Sequence, residues 1–417
     1  MRILLWHGYL LSGTGSNVYT RSMARAWSQA GHEVVVVCQE PHPSRYDVGG
    51  ATVVRPELDG PLPVFVLDRY SAARPQLLTE MSTRDRDRFV EQNVAALRRL
   101  GTADLVVANH ILLGGPVAAG SGLRHAVKAH GSELEFAIRG RPDLRQWAHD
   151  SVQSAAAIVA GSAHVERVLA ELVGPPPGSV HVVPPGVDLE LLRPRGREEA
   201  IRGLVAESRR DAGNPPGQRH RQRLPDHGNA DRFAAFFAEA SPTVLYVGKL
   251  SDEKGVALLL EALRQVKAKA VVVGFGPARA ELEATAGPRV LFTGPLEHRH
   301  LAHLWPMADI AVTPSVFPEA FGMVAAEAAA CGCPPLVARH SGLAEIASGL
   351  AAEYPAHLAH LASFASGNAE DLAGRLTEFL ALDEPDREAL SAGARRAAER
   401  LWGWEQVARR VLAAAMD

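Results

Sequence analysis

The chain has 417 residues, 47% of them hydrophobic and 22% charged, with a net charge of −3. That length allows two domains with separate cores, and the composition is that of a globular protein. The slight negative charge argues against a chain whose main role is to coat nucleic acid. Cys38, Cys331 and Cys333 provide no disulfide framework and fit a reducing compartment. Cys331 and Cys333 lack a second ligand pair at metal-binding spacing, so they read as small buried apolar residues.

Residues 2–6 read as a first buried strand. They reach His7-Gly8 at once and show no cleavage site, and no run approaches the length of a membrane span. The expectation is a cytoplasmic protein, with weak peripheral membrane contact left open. A glycine-containing turn with Gly13 and Gly15 leads into a helix with apolar Val18, Met23, Ala26 and Trp27, and a second strand follows at 34–38. That is a right-handed βαβ unit. As a nicotinamide fingerprint the Gly13-x-Gly15 pair is incomplete, because Val18 stands where the third glycine belongs.

Residues 41–75 read as strands and loops, and 84–100 as a helix. Asp85-x-Asp87 has the form of a metal-binding pair, but it lies among arginines ahead of a helical period, which predicts a solvated helix face. Strands follow at 104–110 and 155–160, and between them 126–134 reads as a strand leading into a loop, with Gly161-Ser162 opening a helix. His130-Gly131-Ser132 sits just after a strand. Pro184-Pro185-Gly186 suits neither sheet nor helix, so the crossing between domains is expected there.

Nine arginines fall between 193 and 223, among Pro, Gly, Asp and Asn. The expectation for 193–235 is a solvated, flexible insertion. Arg219-His-Arg-Gln-Arg223 offers a basic patch, but the acids at 198, 199, 207 and 211 dilute it and no aromatic residues interleave. A second strand–turn–helix series starts at Thr243, with Lys249 and Lys254 flanking the turn where point charges suit a diphosphate. Strand 270–273 then feeds Gly274-Phe-Gly-Pro277, and another strand spans 290–294.

Ala308–Ser315 reads as a buried strand, and Leu336–Ala338 as another. Between them Glu319 precedes an Ala-rich helix opened by Phe321-Gly322-Met323-Val324, and Glu327 lies about two turns along it. Two acids after a parallel strand, beside the open N–H groups of a helix start, lie where open α/β sheets bind ligands. Gly322 is expected to let a ligand approach the backbone.

Glu319-x7-Glu327, with its Pro, Phe-Gly and closing Gly332-x-Pro334, resembles the signature of the retaining, nucleotide-sugar-dependent glycosyltransferases of family 4. The resemblance implies an α/β GT-B fold: two Rossmann-like domains facing each other across a cleft. Residues 1–187 would bind the acceptor and 188–385 the nucleotide sugar, with helices from 386–417 returning toward the first domain on Trp402 and Trp404. It implies that Lys249 and Lys254 hold the donor phosphates and Gly13, Gly15 and the amides of Phe321–Val324 lie against them. Gly274 would lie near the nucleoside, Glu327 on the ribose and Glu319 on the transferred sugar. His130 would reach that sugar, as an imidazole able to change charge near neutrality. Ser341 stands where the family has glycine.

The expected reaction is hexosyl transfer from a nucleoside diphosphate sugar to an acceptor hydroxyl of a glycan, glycoconjugate or small molecule. No cofactor, metal or nucleic-acid partner is implied. Two other readings are a non-hydrolysing nucleotide-sugar epimerase of the same fold and a non-catalytic nucleotide-sugar-binding protein.

Overall fold

The computed structural model describes residues 1–11, 13–65, 74–176, 178–211 and 224–417. They divide into two compact units, Met1–Gly186 with Trp404–Asp417, and Val187–Gly403.

The first unit is built on strands β1 (Arg2–Trp6), β2 (Glu33–Val37), β3 (Thr52–Val54), β4 (Leu62–Val64), β5 (Pro75–Leu77), β6 (Leu105–Asn109), β7 (His125–Lys128), β8 (Ala157–Ala160) and β9 (Ser179–Val182). Seven of them form a parallel sheet in the order β3-β2-β1-β6-β7-β8-β9, and β4 and β5 pair separately. β1 sets Ile3 against Val34 on one side and Leu105 on the other. The strands β1, β2, β6 and β8 are near-continuous apolar runs because helices cover both sheet faces. The edge strand β9, just ahead of the expected crossing at Pro184-Pro185-Gly186, was not among the strands expected from the sequence.

The second unit contains β10 (Thr243–Val247), β11 (Lys269–Val273), β12 (Val290–Phe292), β13 (Ile310–Thr313), β14 (Pro335–Ala338) and β15 (Ser363–Phe364). They form a parallel sheet in the order β12-β11-β10-β13-β14-β15. In both sheets the strand order reverses beside the first strand, between β1 and β6 and between β10 and β13. Loops leaving the carboxyl ends of strands at such a reversal form a crevice that binds ligands in open α/β sheets.

Two expectations need correction. The stretch 193–235 is not a loose insertion where it is described. Helices Arg197–Arg209 and Asn229–Phe236 bury Ala200, Leu204 and Phe233 in the second core. The arginine density misled because the charges are paired or bonded to backbone. Arg299 binds Glu207 and Asp211, Arg195 donates to the Ala302 carbonyl, and Arg232 donates to that of Phe292. Arg219–Arg223 lies outside the described residues.

The terminal helices also part company. Glu384–Leu401 buries Leu390, Ala394, Ala397 and Ala398 in the second core. Trp404–Met416 packs on the first, where Trp27 Nε1 donates to the Ala408 carbonyl at 3.1 Å. The two tryptophans serve different units: Trp402 meets Phe321 edge-on at 6.0 Å, and Trp404 meets Tyr19 at 5.6 Å.

Candidate functional site

In the second unit, β10 runs into Gly248-Lys249, and a short turn, Asp252–Lys254, follows before the helix Val256–Leu263. Lys254 Nζ lies 2.5 Å from Glu319 Oε1, with the two side chains 34% and 20% exposed. The family resemblance assigns these residues to different parts of the donor; the structure makes them an ion pair. Lys249 is exposed, and its carbonyl accepts a 2.8 Å hydrogen bond from the Tyr246 hydroxyl. Burial, and then the Glu319 charge, push the Tyr246 phenol upward, so it stays a neutral donor that fixes the turn.

The loop carrying Glu319 is tied down at several points. Ser315 Oγ and the amides of Val316 and Phe317 all donate to the Glu253 carbonyl. The Glu319 amide donates to Ser341 Oγ at 2.9 Å, and the Glu319 carbonyl accepts from the Gly342 amide at 2.9 Å. His340 completes a relay. Its Nε2 contacts the Ser315 carbonyl at 2.6 Å and its Nδ1 contacts Ser341 Oγ at 2.9 Å. A carbonyl only accepts, so Nε2 carries the proton in neutral His340; Nδ1 then accepts from the Ser341 hydroxyl. Ser341 has φ 47°, a left-handed value rare for a residue with a Cβ. That explains why the resembling family has glycine here, and the hydroxyl contact to Glu319 is what serine adds. Ser341 begins the helix Ser341–Ala351 rather than a loop ahead of it.

The helix Met323–Ala330 starts after Gly322, with no side-chain cap and no acid in its first turn. The amides of Ala325 and Ala326 turn back to the Gly322 carbonyl, and among the described residues those of Met323 and Val324 remain open; the helix Gly15–Gln29 in the first unit likewise has no side-chain cap. By contrast, Ser82, Ser162, Asn368 and Asp383 cap helices elsewhere in the chain. Gly322 corrects an expectation. A Cβ there would lie 2.6 Å from Leu343 Cδ2, so Leu343 occupies the space expected for a ligand, and the φ of 114° demands glycine anyway. Phe321 is a core residue, leaving its backbone as the group available to a ligand, while Met323 and Val324 are half-buried. Glu327 lies one turn into the helix, not two. It is nearly buried and 2.9 Å from His298 Nε2. Gly274 is also required by packing, since a Cβ would meet the Gly248 carbonyl oxygen at 1.8 Å; the turns after β10 and β11 lie backbone to backbone.

In the first unit, Gly13 lies in the turn after β1, and Gly15 is the first residue of the helix. His130 follows β7, and its Nε2 is 2.9 Å from Asn109 Oδ1. The Asn109 amide nitrogen donates to the Trp6 carbonyl and contacts Thr20 Oγ1, which places the Nε2 proton on His130. Burial first, then Lys128 and His7, hold the His130 imidazole well below its ordinary value. It is a neutral hydrogen-bonding group and does not change charge near neutrality as expected from its type.

Around it is a cluster that sequence reasoning did not assemble. The His110 ring lies tilted against that of His130 with centroids 4.4 Å apart, and is 5.2 Å from Tyr9 and 5.0 Å from Phe65. His110 is buried and has φ 71°; among the described residues neither ring nitrogen has a hydrogen-bond partner, and Nδ1 lies 3.9 Å from Glu133 Oε1. Glu133, fully buried, accepts from the amides of His130 and Leu112, and burial still raises its carboxyl to about 7. Lys128, also buried, is lowered to about 7 by desolvation and donates to the Val183 carbonyl. The sequence signal for these residues was only their position after strands. Asp85 and Asp87 are on the helix Thr83–Arg99, where Asp85 bonds its Ser82 cap and pairs with Arg88. Cys331 and Cys333 are buried free thiols pushed upward by desolvation. Among the described residues no helix is long and apolar enough to cross a membrane.

Two family models match. "Glycosyltransferase Family 4" covers residues 13–191 and "Glycosyl transferases group 1" covers residues 229–397. Relatives named D-inositol 3-phosphate glycosyltransferase include one from Xylanimonas cellulosilytica, 32% identical over 63% of this chain and 57% of its own length. Another, from Thermomonospora curvata, is 34% identical over 65% and 59%. One from Catenulispora acidiphila is 30% identical over 79% and 75%. The chain thus spans under two thirds of the first two relatives. Among solved structures, sucrose-phosphate synthase from Thermosynechococcus elongatus superposes with TM-score 0.65 at 22% identity, over 99% of this chain and 97% of that one. The Anabaena HepE protein in complex with UDP and glucose gives 0.67 at 16%, over 99% and 98%. The likeness to these structures is one of fold, two Rossmann-like units of the GT-B class. The chain belongs to glycosyltransferase family 4, within the group 1 glycosyl transferases.

Proposed function

We propose that this protein transfers a hexosyl unit from a nucleoside diphosphate sugar to an acceptor hydroxyl with retention of anomeric configuration. The observation that carries the reading is the Lys254–Glu319 pair at the reversal point of the second sheet, beside an open helix start. In the reaction the bond from C1 to the diphosphate oxygen breaks, and a bond from C1 to the acceptor oxygen forms. Negative charge grows on the leaving phosphate, where Lys249, Lys254 and the amides at 321–324 stabilise it. The acceptor's proton passes to the departing phosphate, so the reading needs no separate protein base and no metal.

Glu319 would orient the sugar near its reacting carbon, and Glu327 would take the ribose hydroxyls in place of His298. His130, neutral, would accept from or donate to a sugar hydroxyl. The relatives are named for a phosphorylated polyol, which supports a polyol or sugar hydroxyl as the acceptor.

The test is a thermal-shift panel of UDP-, GDP- and ADP-sugars. A donor held far above its dissociation constant should raise stability by a few kcal/mol, about 2.7 at a hundredfold excess. Product anomeric configuration by NMR then decides retention. An epimer formed from donor alone would convert the assignment to an epimerase, and binding without turnover on any acceptor would leave a sensor.

A further inference from the structure

A cavity of about 650 Å³ opens in the first unit, lined by Gln39, Arg55, Glu57, Leu58, Leu62 and Arg74 among others. Its volume suits a small polyol or sugar derivative. Gln39 follows β2 and Arg55 follows β3, so the cavity lies at the carboxyl ends of these strands, on the ligand-binding edge of the sheet. It adjoins the histidine cluster. The Gln39 amide donates to the Tyr9 carbonyl at 2.7 Å, and the Tyr9 ring packs on His110, which lies against His130.

Some arginines of the first unit, Arg2, Arg25, Arg139 and Arg141 among them, each pair with an acid. Arg55 and Arg74 have no carboxylate partner among the described residues. Arg55 is steadied through Nε by Gln39 Oε1 at 3.4 Å, while Gln39 Nε2 is held by the Pro56 carbonyl. Among the described residues nothing bonds the terminal nitrogens of Arg55, which leaves them for a ligand. Among the described lining residues, two guanidinium groups stand against the single carboxylate of Glu57, a net positive charge. Guanidinium forks match the oxygens of a phosphoryl group, and a carboxylate beside them accepts from hydroxyls.

We infer that Arg55 and Arg74 hold the phosphoryl group of a phosphorylated polyol or sugar acceptor, with Glu57 accepting from one of its hydroxyls. This rests on the proposed transferase reading and assigns its acceptor class. The anion anchors the acceptor at the β2–β3 side, and the hydroxyl to be glycosylated points toward the His130 side of the unit.

The experiment uses the full chain saturated with whichever of UDP, GDP or ADP raises its melting temperature, so that the lysine site is filled. Inorganic phosphate is then titrated by calorimetry. One further site is expected, weakened at least tenfold in Arg55→Ala and in Arg74→Ala and partly restored in Arg55→Lys, with nucleotide affinity unchanged within twofold. Both arginines are exposed, so the variants should melt as the parent does. If nucleotide binds but phosphate gives no site, or a site that neither variant weakens, the inference is overturned and the donor reading stands. If no nucleotide binds, the donor reading has failed. Phosphate titrated into Lys254→Ala, with and without Arg55→Ala, then still decides the arginine site by the same tenfold criterion.

Discussion

Lys254 Nζ meets Glu319 Oε1 at 2.5 Å, so the cation assigned to the donor's phosphate is neutralised by the acid assigned to its sugar. An incoming diphosphate must compete with Glu319 for Lys254. Lys254→Ala should therefore lower both donor affinity and kcat, by tenfold or more, since a charge-assisted contact is worth about 1.5–3 kcal/mol. Glu319→Gln should lower kcat while leaving affinity for the free nucleoside diphosphate unchanged or tighter, because Lys254 is released. Calorimetry with the diphosphate beside steady-state kinetics separates the two. Weaker diphosphate binding in Glu319→Gln would show that the pair does not compete with phosphate.

Ser341 bears on how Glu319 is held. Its left-handed backbone costs about 1–2 kcal/mol for a residue with a Cβ, yet its hydroxyl links His340 to the Glu319 amide. Ser341→Gly relieves the strain but loses the link and adds chain entropy. Ser341→Ala keeps the strain and loses the link. The glycine variant should melt within about 2 °C of the parent and the alanine variant lower, while kcat falls severalfold in both. Melting curves and kcat measured together check this, and an unchanged kcat in both variants would remove the relay from the mechanism.

The central strands, their parallel pairing and the two glycine-containing turns were legible because buried parallel strands are apolar runs bounded by turn residues, whereas the short edge strands β9 and β15 were not read. Glu319, Glu327, Lys249 and Lys254 were legible as chemistry-bearing groups after strands. Their partners were not. No local rule joins residue 254 to 319 or 298 to 327; such pairs are set by how loops from different strands converge. Composition misled at 197–209, where charged residues outnumber the apolar ones that enter the core. Residue type misled at His130 because burial beside Lys128, which only the fold reveals, determines its charge.

The first unit's buried titrating groups give a pH signature. Burial lowers the folded His7 to about 4 from 6.5, so as pH falls below 6.5 the unfolded chain takes up a proton that the fold refuses, and stability is lost. From pH 7.5 to 5 this amounts to about 2 kcal/mol for His7. Burial raises the folded Glu133 carboxyl to about 7 from 4.5, with the opposite sign: the fold holds its proton below pH 7 and gains stability there as pH falls toward 4.5. The melting-temperature difference between pH 7.5 and 5 should therefore shift toward better acid tolerance in His7→Asn and toward worse tolerance in Glu133→Gln. Equal shifts in both variants would mean that neither group titrates as its burial requires.

Glu327 and His298 form a pair that the donor's ribose would have to open. The carboxylate is nearly buried and its partner half-exposed, 2.9 Å away on the helix that follows β12. Ribose hydroxyls would take the place of the imidazole, and they do so equally in the ground state and the transition state. Loss of such uniform binding raises KM without lowering kcat. Glu327→Gln preserves shape and removes charge, so it should raise KM for the donor about tenfold and weaken the free nucleoside diphosphate in parallel, with kcat within twofold. His298→Gln should have little effect on either constant, because the imidazole is only a placeholder. If Glu327→Gln lowers kcat and spares nucleotide affinity while Glu319→Gln does the reverse, the two glutamates have exchanged roles. If His298→Gln costs as much as Glu327→Gln, the imidazole remains in place during binding and positions the carboxylate.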